Sequence, residues 1–229
     1  MKTVDQSAGQ RDIVLAQLAD ILVRIACPHP LRVALDGVDA AGKTTLADEL
    51  APLLQTRGRP AIRASVDYFH NPREIRYQRG RGSPEGYFYD SFNYEAVRKL
   101  LLEPLGPTGI RQYQRGCFDH ETDRLKEYPL EHAPEDAILL FDGVFLLRPE
   151  LLDYWDYKIF VDIDFETMTE RAVQRHVAEY GPDPDVRARN LTRYVPGQQL
   201  YLETCQPKQH ANLIFDNRDI NAPTIWQQP

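Results

Sequence analysis

The sequence predicts an α/β three-layer sandwich around a parallel sheet, on three observations. Short apolar runs such as residues 137–141 (Ala-Ile-Leu-Leu-Phe) alternate with stretches of helical periodicity, the pattern of strands covered on both faces. One such run, residues 31–35, passes through a glycine-bearing loop directly into a helical stretch. Carboxylates stand just after two further runs, at the sheet edge where ligands collect in folds of this class.

The elements follow in order. Ile13, Leu15, Leu18, Ile21, Leu22 and Ile25 recur at helical spacing, so residues 12–25 predict an amphipathic helix that Pro28 and Pro30 end; it is expected to pack on the domain and carry no chemistry. Residues 31–35 are the first strand, and residues 44–57 the helix after it, through Leu46, Leu50 and Leu53. Residues 61–65 make the second strand, 137–141 a fully buried one, 158–162 another and 213–215 a weaker last one. Further helices are expected over residues 95–102 and 165–179. Between residues 71 and 134, Arg, Gly, Pro and aromatic residues replace the alternation and leave one clear helix, which marks an inserted acceptor-binding region. The short polar stretch after Asn217 is expected to be an unstructured tail or a surface strap.

At 229 residues the chain suffices for one substantial core, so a single domain over residues 1–229 is expected. A net charge of −7 argues against a nucleic-acid partner, because counterion release needs a surplus of Lys and Arg. Cys27, Cys117 and Cys205 are far apart with no CxxC pair, so they read as reduced thiols rather than as a zinc site or disulfide framework. No stretch approaches the ~20 apolar residues of a membrane span, and residues 1–11 lack a leader pattern. A cytoplasmic location with no membrane partner is the expectation. The sequence leaves the oligomeric state open, a homo-oligomer included.

Gly37-Val38-Asp39-Ala40-Ala41-Gly42-Lys43-Thr44 fits the pattern G-x-x-x-x-G-K-[ST], and Thr45 carries it into the helix. Glycines in such a loop let backbone N–H groups surround phosphates, with the positive end of the next helix behind them. Lys43 would then reach the β- and γ-phosphates and the Thr44 hydroxyl would bind Mg²⁺. Asp142 ends the run 137–141, where a magnesium-organising acid is wanted; the alternative is a surface Asp capping a turn. Asp67 follows the second strand and stands beside the γ-phosphate position, as a proton acceptor for an attacking hydroxyl or as a metal partner. His70 is the rival base.

Taken together the motifs resemble the uridine kinase and phosphoribulokinase superfamily of P-loop kinases, over residues 31–217. The resemblance rests on the loop, Asp67-Tyr68-Phe69, Asp90-Ser91-Phe92, residues 140–144 and 158–164, Arg171-x-x-x-Arg175, and the late Pro207-Lys208-x-x-Ala211-Asn212-Leu213-Ile214. It implies the P-loop NTPase fold, ATP and Mg²⁺ as cofactors, Asp67 as base or metal partner, and Asp142 with Thr44 around Mg²⁺. It also implies a helical lid, residues 171–194, whose arginines close over the triphosphate. Arg171 and Arg175 share one helix face; spacing alone allows pairing with Glu166, Glu170 or Glu179 equally, and the resemblance favours phosphate. The loop 181–184, with Arg187 and Arg189, would be the lid tip.

The sequence departs from that family's nucleoside kinases at several points. Asp142-Gly143 stands where Glu-Gly is usual, Ala172 and His176 replace polar lid residues, and the acceptor segment is Gly-Tyr-Phe-Tyr-Asp-Ser-Phe over residues 86–92. Tyr113 and His120 echo loosely the tyrosine and histidine that usually follow it. Candidate acceptor contacts are therefore Tyr68, Arg76, Tyr87, Asp90, Tyr113 and His120. Arg73, Arg76, Arg79 and Arg81, interleaved with Tyr77, would either neutralise an anionic acceptor or form a solvated loop. The leading expectation is ATP-dependent phosphorylation of a small hydroxyl-bearing acceptor, a nucleoside such as uridine or cytidine. The alternatives are a kinase for another metabolite, such as a sugar phosphate or pantothenate-like acid, and a nucleotide-binding switch. The switch lacks support, since neither N-K-x-D nor a D-x-x-G beyond the loop is present.

Overall fold

The computed structural model describes residues 9–228, so the expectation for the first eight residues lies outside the described part. The apolar runs become the strands β1 (Leu31–Gly37), β2 (Ala61–Ser65), β7 (Ile138–Asp142), β8 (Tyr157–Asp162) and β9 (Leu213–Asp216), and the chain adds the two-residue strands β3 (Gln112–Tyr113), β4 (Phe118–Asp119), β5 (Arg124–Leu125) and β6 (Glu131–His132) and a last strand, β10 (Thr224–Gln227). Six of them form the central sheet in the order β10-β9-β8-β1-β7-β2, parallel except for β10.

The uninterrupted apolar character of β7 has a plain cause. Ile138 and Leu140 face one layer, with Val33, Leu35, Leu46 and Leu50, while Leu139 and Phe141 face the other, with Phe69, Phe160 and Trp155. A strand covered on both faces has no position for a polar side chain. The helices Gln10–Val23 and Lys43–Thr56 cover the first face through Leu18, Leu22, Leu50 and Leu54, all fully buried. Truncating Phe141 to alanine would leave a cavity against the Trp155 ring, stacked on it at 5.5 Å, and cost about 3–5 kcal/mol.

Register decides what meets at the C-terminal edge. Leu35 of β1 and Ser65 of β2 both pair with Asp142 of β7, and Gly37 pairs with Val161 of β8. The glycine loop, the segment after Ser65 and the Asp142 carboxylate therefore leave the sheet side by side.

The region between β2 and β7 is more helical than expected. Pro84–Asp90 is a helix, with Pro84 in its first turn and the Ser83 hydroxyl accepting from the Gly86 N–H at 2.9 Å. It buries Tyr87 and Phe88. Three aromatics and a glycine in seven residues hid it from a periodicity argument. The expected helix 95–102 is present as Tyr94–Val97 continuing into a wider π turn, Arg98–Leu102.

The expected helix over residues 165–179 is present as Phe165–Tyr180 and starts where the Asp164 carboxylate accepts from the Thr167 N–H at 2.8 Å. It stops at Gly181, whose φ of 86° lies in the left-handed region. The chain returns to the body through a helix not expected from the sequence, Val195–Cys205. The stretch after Asn217 corrects the expectation of a tail or strap: Thr224–Gln227 pairs antiparallel with β9 as the sheet's last strand. Four residues, Thr-Ile-Trp-Gln, with no alternation of polar and apolar side chains, are too short to register as a strand in sequence.

Candidate active site

The loop after β1 is held in place by close approaches that demand glycine. A Cβ on Gly37 would lie 2.3 Å from the Val161 carbonyl oxygen, and one on Gly42, at φ 90°, would lie 2.6 Å from Asn217 Nδ2. That amide donates to the Ala41 carbonyl at 2.7 Å, while its Oδ1 accepts from Arg11 at 3.1 Å. Asn217 therefore pins the loop from beyond β9, and Arg11 pins Asn217. Lys43 is buried, with Nζ donating to the Val38 carbonyl at 2.6 Å. Burial lowers its pKa, opposed by the negative charges of Asp39, Asp36, Asp142 and Asp67.

Beneath the loop, Asp36 is fully buried and receives the Tyr201 hydroxyl at 2.5 Å and the Leu146 N–H at 3.2 Å. Burial pushes its carboxyl up to about 6, against the lowering effect of those hydrogen bonds. Neither partner was singled out in the sequence, because a buried Asp–Tyr contact across 165 residues leaves no local signal.

At the mouth of the loop the Thr44 hydroxyl donates to Asp142 Oδ2 at 2.7 Å, and Arg63 donates to Asp142 Oδ1 at 3.0 Å. Thr44 and the carboxylates of Asp142 and Asp67 are hard oxygen donors at one cleft, a set whose chemistry fits Mg²⁺.

The cleft has a volume of about 700 Å³ and opens directly off the loop. Lys43, Thr44, Asp67 and Asp142 line it, as do Arg175, from the helix Phe165–Tyr180, and Tyr194, just before the helix Val195–Cys205. One wall is made of rings: His70 lies 4.5 Å from Phe92 and 5.4 Å, stacked, from His120. His70 has its pKa lowered by burial, partly opposed by Asp67, so the imidazole is neutral at pH 7. Its Nδ1 lies 2.9 Å from the Asp67 carbonyl. Asp67 carries its carboxylate into the open cleft, and its backbone N–H is held by Ser65 Oγ at 3.3 Å.

Among the sequence-derived candidates, Lys43, Thr44, Asp67, Tyr87, His120, Asp142 and Arg175 converge on this cleft. Arg171 lies in the adjoining pocket, of about 260 Å³, with Ala40, Gly42, Thr45, Asn217 and Arg11. Arg11, at the start of the first helix, lines it as well and is paired with Glu49 at 2.6 Å. Neither Arg171 nor Arg175 pairs with Glu166, Glu170 or Glu179 among the described residues.

Four candidates stand elsewhere. Tyr113 is buried in the core with its hydroxyl 3.4 Å from Glu131, because it lies in the β3–β6 ladder. Asp90 is buried and paired with Arg79 at 2.8 Å. Arg76 pairs with Asp123 at 2.6 Å. Tyr68 does not line the cleft; it borders a neighbouring pocket with Tyr128 and Arg115 that meets the cleft at Thr44 and Asp142. Arg73 also faces Asp123, and Arg81 lies over the Tyr77 ring, so none of the four clustered arginines lines the cleft.

Comparison with known proteins places this geometry in context. The phosphoribulokinase / uridine kinase family model matches residues 33–221. Uridine-cytidine kinase B of Dictyostelium discoideum is 30% identical over 199 residues, covering 86% of this chain and 79% of that protein. A possible uridine kinase from Bacillus stearothermophilus superposes with a TM-score of 0.69 at 23% identity, covering 89% of this chain and 98% of that one. A candidate fructose transport system kinase from Silicibacter sp. TM1040 superposes with a TM-score of 0.68 at 27% identity, covering 82% and 94%.

Proposed function

Given that the chain belongs to the phosphoribulokinase / uridine kinase family and is an ATP-dependent kinase, we propose that it phosphorylates a neutral hydroxyl-bearing acceptor, with uridine or cytidine leading. The observation that carries this is the placement of Asp67. Its carboxylate shares one cleft with Lys43 and the Thr44–Asp142 pair, beside the rings of His70, Phe92 and His120, while arginines 73, 76, 79 and 81 stay outside. A planar base has a stacking surface there, and none of arginines 73, 76, 79 and 81 is placed to meet a second anion.

In this reading the loop amides and Lys43 hold the triphosphate. Thr44, Asp142 and Asp67 would hold Mg²⁺, which supplies charge neutralisation at the phosphate oxygens when bound. Asp67 accepts a hydrogen bond from the attacking hydroxyl, orients it, and takes its proton as the bond to phosphorus forms. Arg175, which has no partner of its own among the described residues, supplies positive charge to offset the negative charge on the transferring group and its leaving oxygen. Catalysis is positioning and electrostatics rather than covalent chemistry.

A second reading, phosphorylation of another hydroxylated metabolite, is favoured by the withdrawal of Tyr113 into the core, since the nucleoside kinase resemblance implies an acceptor contact there. One assay decides between them. ATP consumption with Mg²⁺ is measured against uridine, cytidine, other nucleosides, pantothenate, free sugars and pentose phosphates, with product mass confirming transfer. Turnover with uridine or cytidine is the expected result; turnover only with a sugar or an anionic acceptor overturns the nucleoside assignment.

A further inference from the structure

Asp39 stands in a loop that surrounds phosphates, where its carboxylate would repel the triphosphate that the loop amides attract. Its side chain does not serve the nucleotide. Asp39 lines the acceptor cleft and is absent from the pocket on the nucleotide side, where Ala40, Gly42 and Thr45 lie. The turn that sends it there is enforced by Ala40, at φ 53°.

The orientation is held from the acceptor side of the molecule. Asp39 Oδ2 accepts from the Tyr87 hydroxyl at 2.6 Å, and Gln198 Nε2 donates to that hydroxyl at 3.2 Å. Tyr87 sits on the helix Pro84–Asp90 and Gln198 on the return helix Val195–Cys205; both are buried. Burial and the Asp39 charge keep the phenol protonated, so Tyr87 is a fixed donor. Oδ1 of Asp39 has no hydrogen-bond partner among the described residues, and the residue lines the cleft. An ionised carboxylate can only accept, so what completes it must be a donor.

The other acid in the acceptor region does not compete for that role, since Asp90 is tied to Arg79 and does not border the cleft. Asp39 and Lys43 border the same cleft, which puts the carboxylate on the side of the transfer site. Asp67, Asp142, Glu121 and Glu179 border the same cleft with Asp39, and these acids outnumber the cations Lys43 and Arg175 there, so a donor arriving as a neutral group is favoured over an anion.

We infer that Asp39 is a specificity-determining residue: its Oδ1 accepts a hydrogen bond from an acceptor hydroxyl other than the one phosphorylated, selecting a ribose with its full hydroxyl set over a deoxyribose. The inference rests on the nucleoside reading. A carboxylate–hydroxyl bond is charge-assisted, and an acceptor lacking the hydroxyl leaves the carboxylate uncompensated inside the closed site.

The test compares kcat/KM for uridine, 2′-deoxyuridine and 3′-deoxyuridine in the wild type, Asp39→Asn and Tyr87→Phe, with the Kd for ATP·Mg²⁺ measured separately by calorimetry. The wild type is expected to discriminate against one deoxynucleoside by on the order of 100-fold. Asp39→Asn, which faces the cleft with an amide, should reduce that ratio to within a few-fold while its Kd for ATP·Mg²⁺ does not rise. Tyr87→Phe, which only releases the tether, should reduce it part way. Equal use of uridine and both deoxynucleosides by the wild type, or an undiminished ratio in Asp39→Asn, overturns the inference and leaves the nucleoside reading standing. Turnover of no nucleoside at all overturns both.

Discussion

Asp142 accepts the Thr44 hydroxyl on one oxygen at 2.7 Å and the Arg63 guanidinium on the other at 3.0 Å, so the end of β7 is joined to the start of the nucleotide-binding helix and to β2 through a single carboxylate. The family's nucleoside kinases usually carry a longer acid here, and Arg63 holds the shorter one still. If Asp142 and Thr44 organise Mg²⁺, Asp142→Asn should raise the Mg²⁺ concentration for half-maximal rate by about 10–100-fold. Titration of activity against Mg²⁺ reads this directly. An unchanged Mg²⁺ midpoint would reassign Asp142 to the structural pairing with Arg63 alone.

Asp67 separates binding from chemistry. It lies in the open cleft and makes no side-chain contact that the loop depends on. Asp67→Asn is therefore expected to keep the wild-type Kd for ATP and to lose about 10²–10⁴-fold in kcat. Near-normal turnover in that variant would pass the base role to His70, whose neutral imidazole faces the same cleft.

Asp36 makes stability fall as pH rises. Its folded pKa of about 6 lies above the ordinary value of 3.8, so between those values the folded state binds more protons than the unfolded chain. The stability this group contributes is fully present below pH 3.8 and is lost as pH passes about 6. The loss amounts to about 3 kcal/mol, the product of roughly two pH units and 1.4 kcal/mol per unit. Urea unfolding from pH 4 to pH 7 should show a flatter profile in Asp36→Asn than in the wild type. Superimposable slopes would mean that Asp36 titrates normally and that the Tyr201 contact holds it ionised.

The parts of this design that were legible in the sequence are those whose causes are local. The loop Gly37–Thr44 shows its function in residue type and spacing, and β1, β2, β7 and β8 show theirs in unbroken apolar runs. What stayed hidden depends on distant partners. Asn217 and Arg11 meet the loop only because β9 pairs with β8 and because the first helix covers that face; their sequence positions say nothing of it. Tyr113 was misplaced for the complementary reason, since a tyrosine in a two-residue strand looks the same whether its ladder faces the cleft or the core. Arginines 73–81 read as a patch until their partners, Asp123 and Asp90, are brought against them.

The two lid arginines are not equivalent. Arg171 Nη2 donates to the carbonyls of Asn217 at 3.0 Å and Arg218 at 2.9 Å, so it is docked on the segment that pins the loop, with Nη1 buried and unpartnered. Arg175, one turn later, is exposed, borders both the nucleotide pocket and the acceptor cleft, and makes no ion pair among the described residues. A group already in place contributes equally to the ground state and the transition state, whereas one that arrives with lid closure contributes mostly to the latter. Arg171→Ala should thus raise KM for ATP about tenfold with a smaller effect on kcat, and Arg175→Ala should lower kcat by about 100-fold with little change in the Kd for ATP. Steady-state kinetics paired with nucleotide-binding calorimetry separates the two. Identical effects from the two substitutions would mean that both arginines move with the lid, and that the docking of Arg171 on Asn217 does not persist once nucleotide is bound.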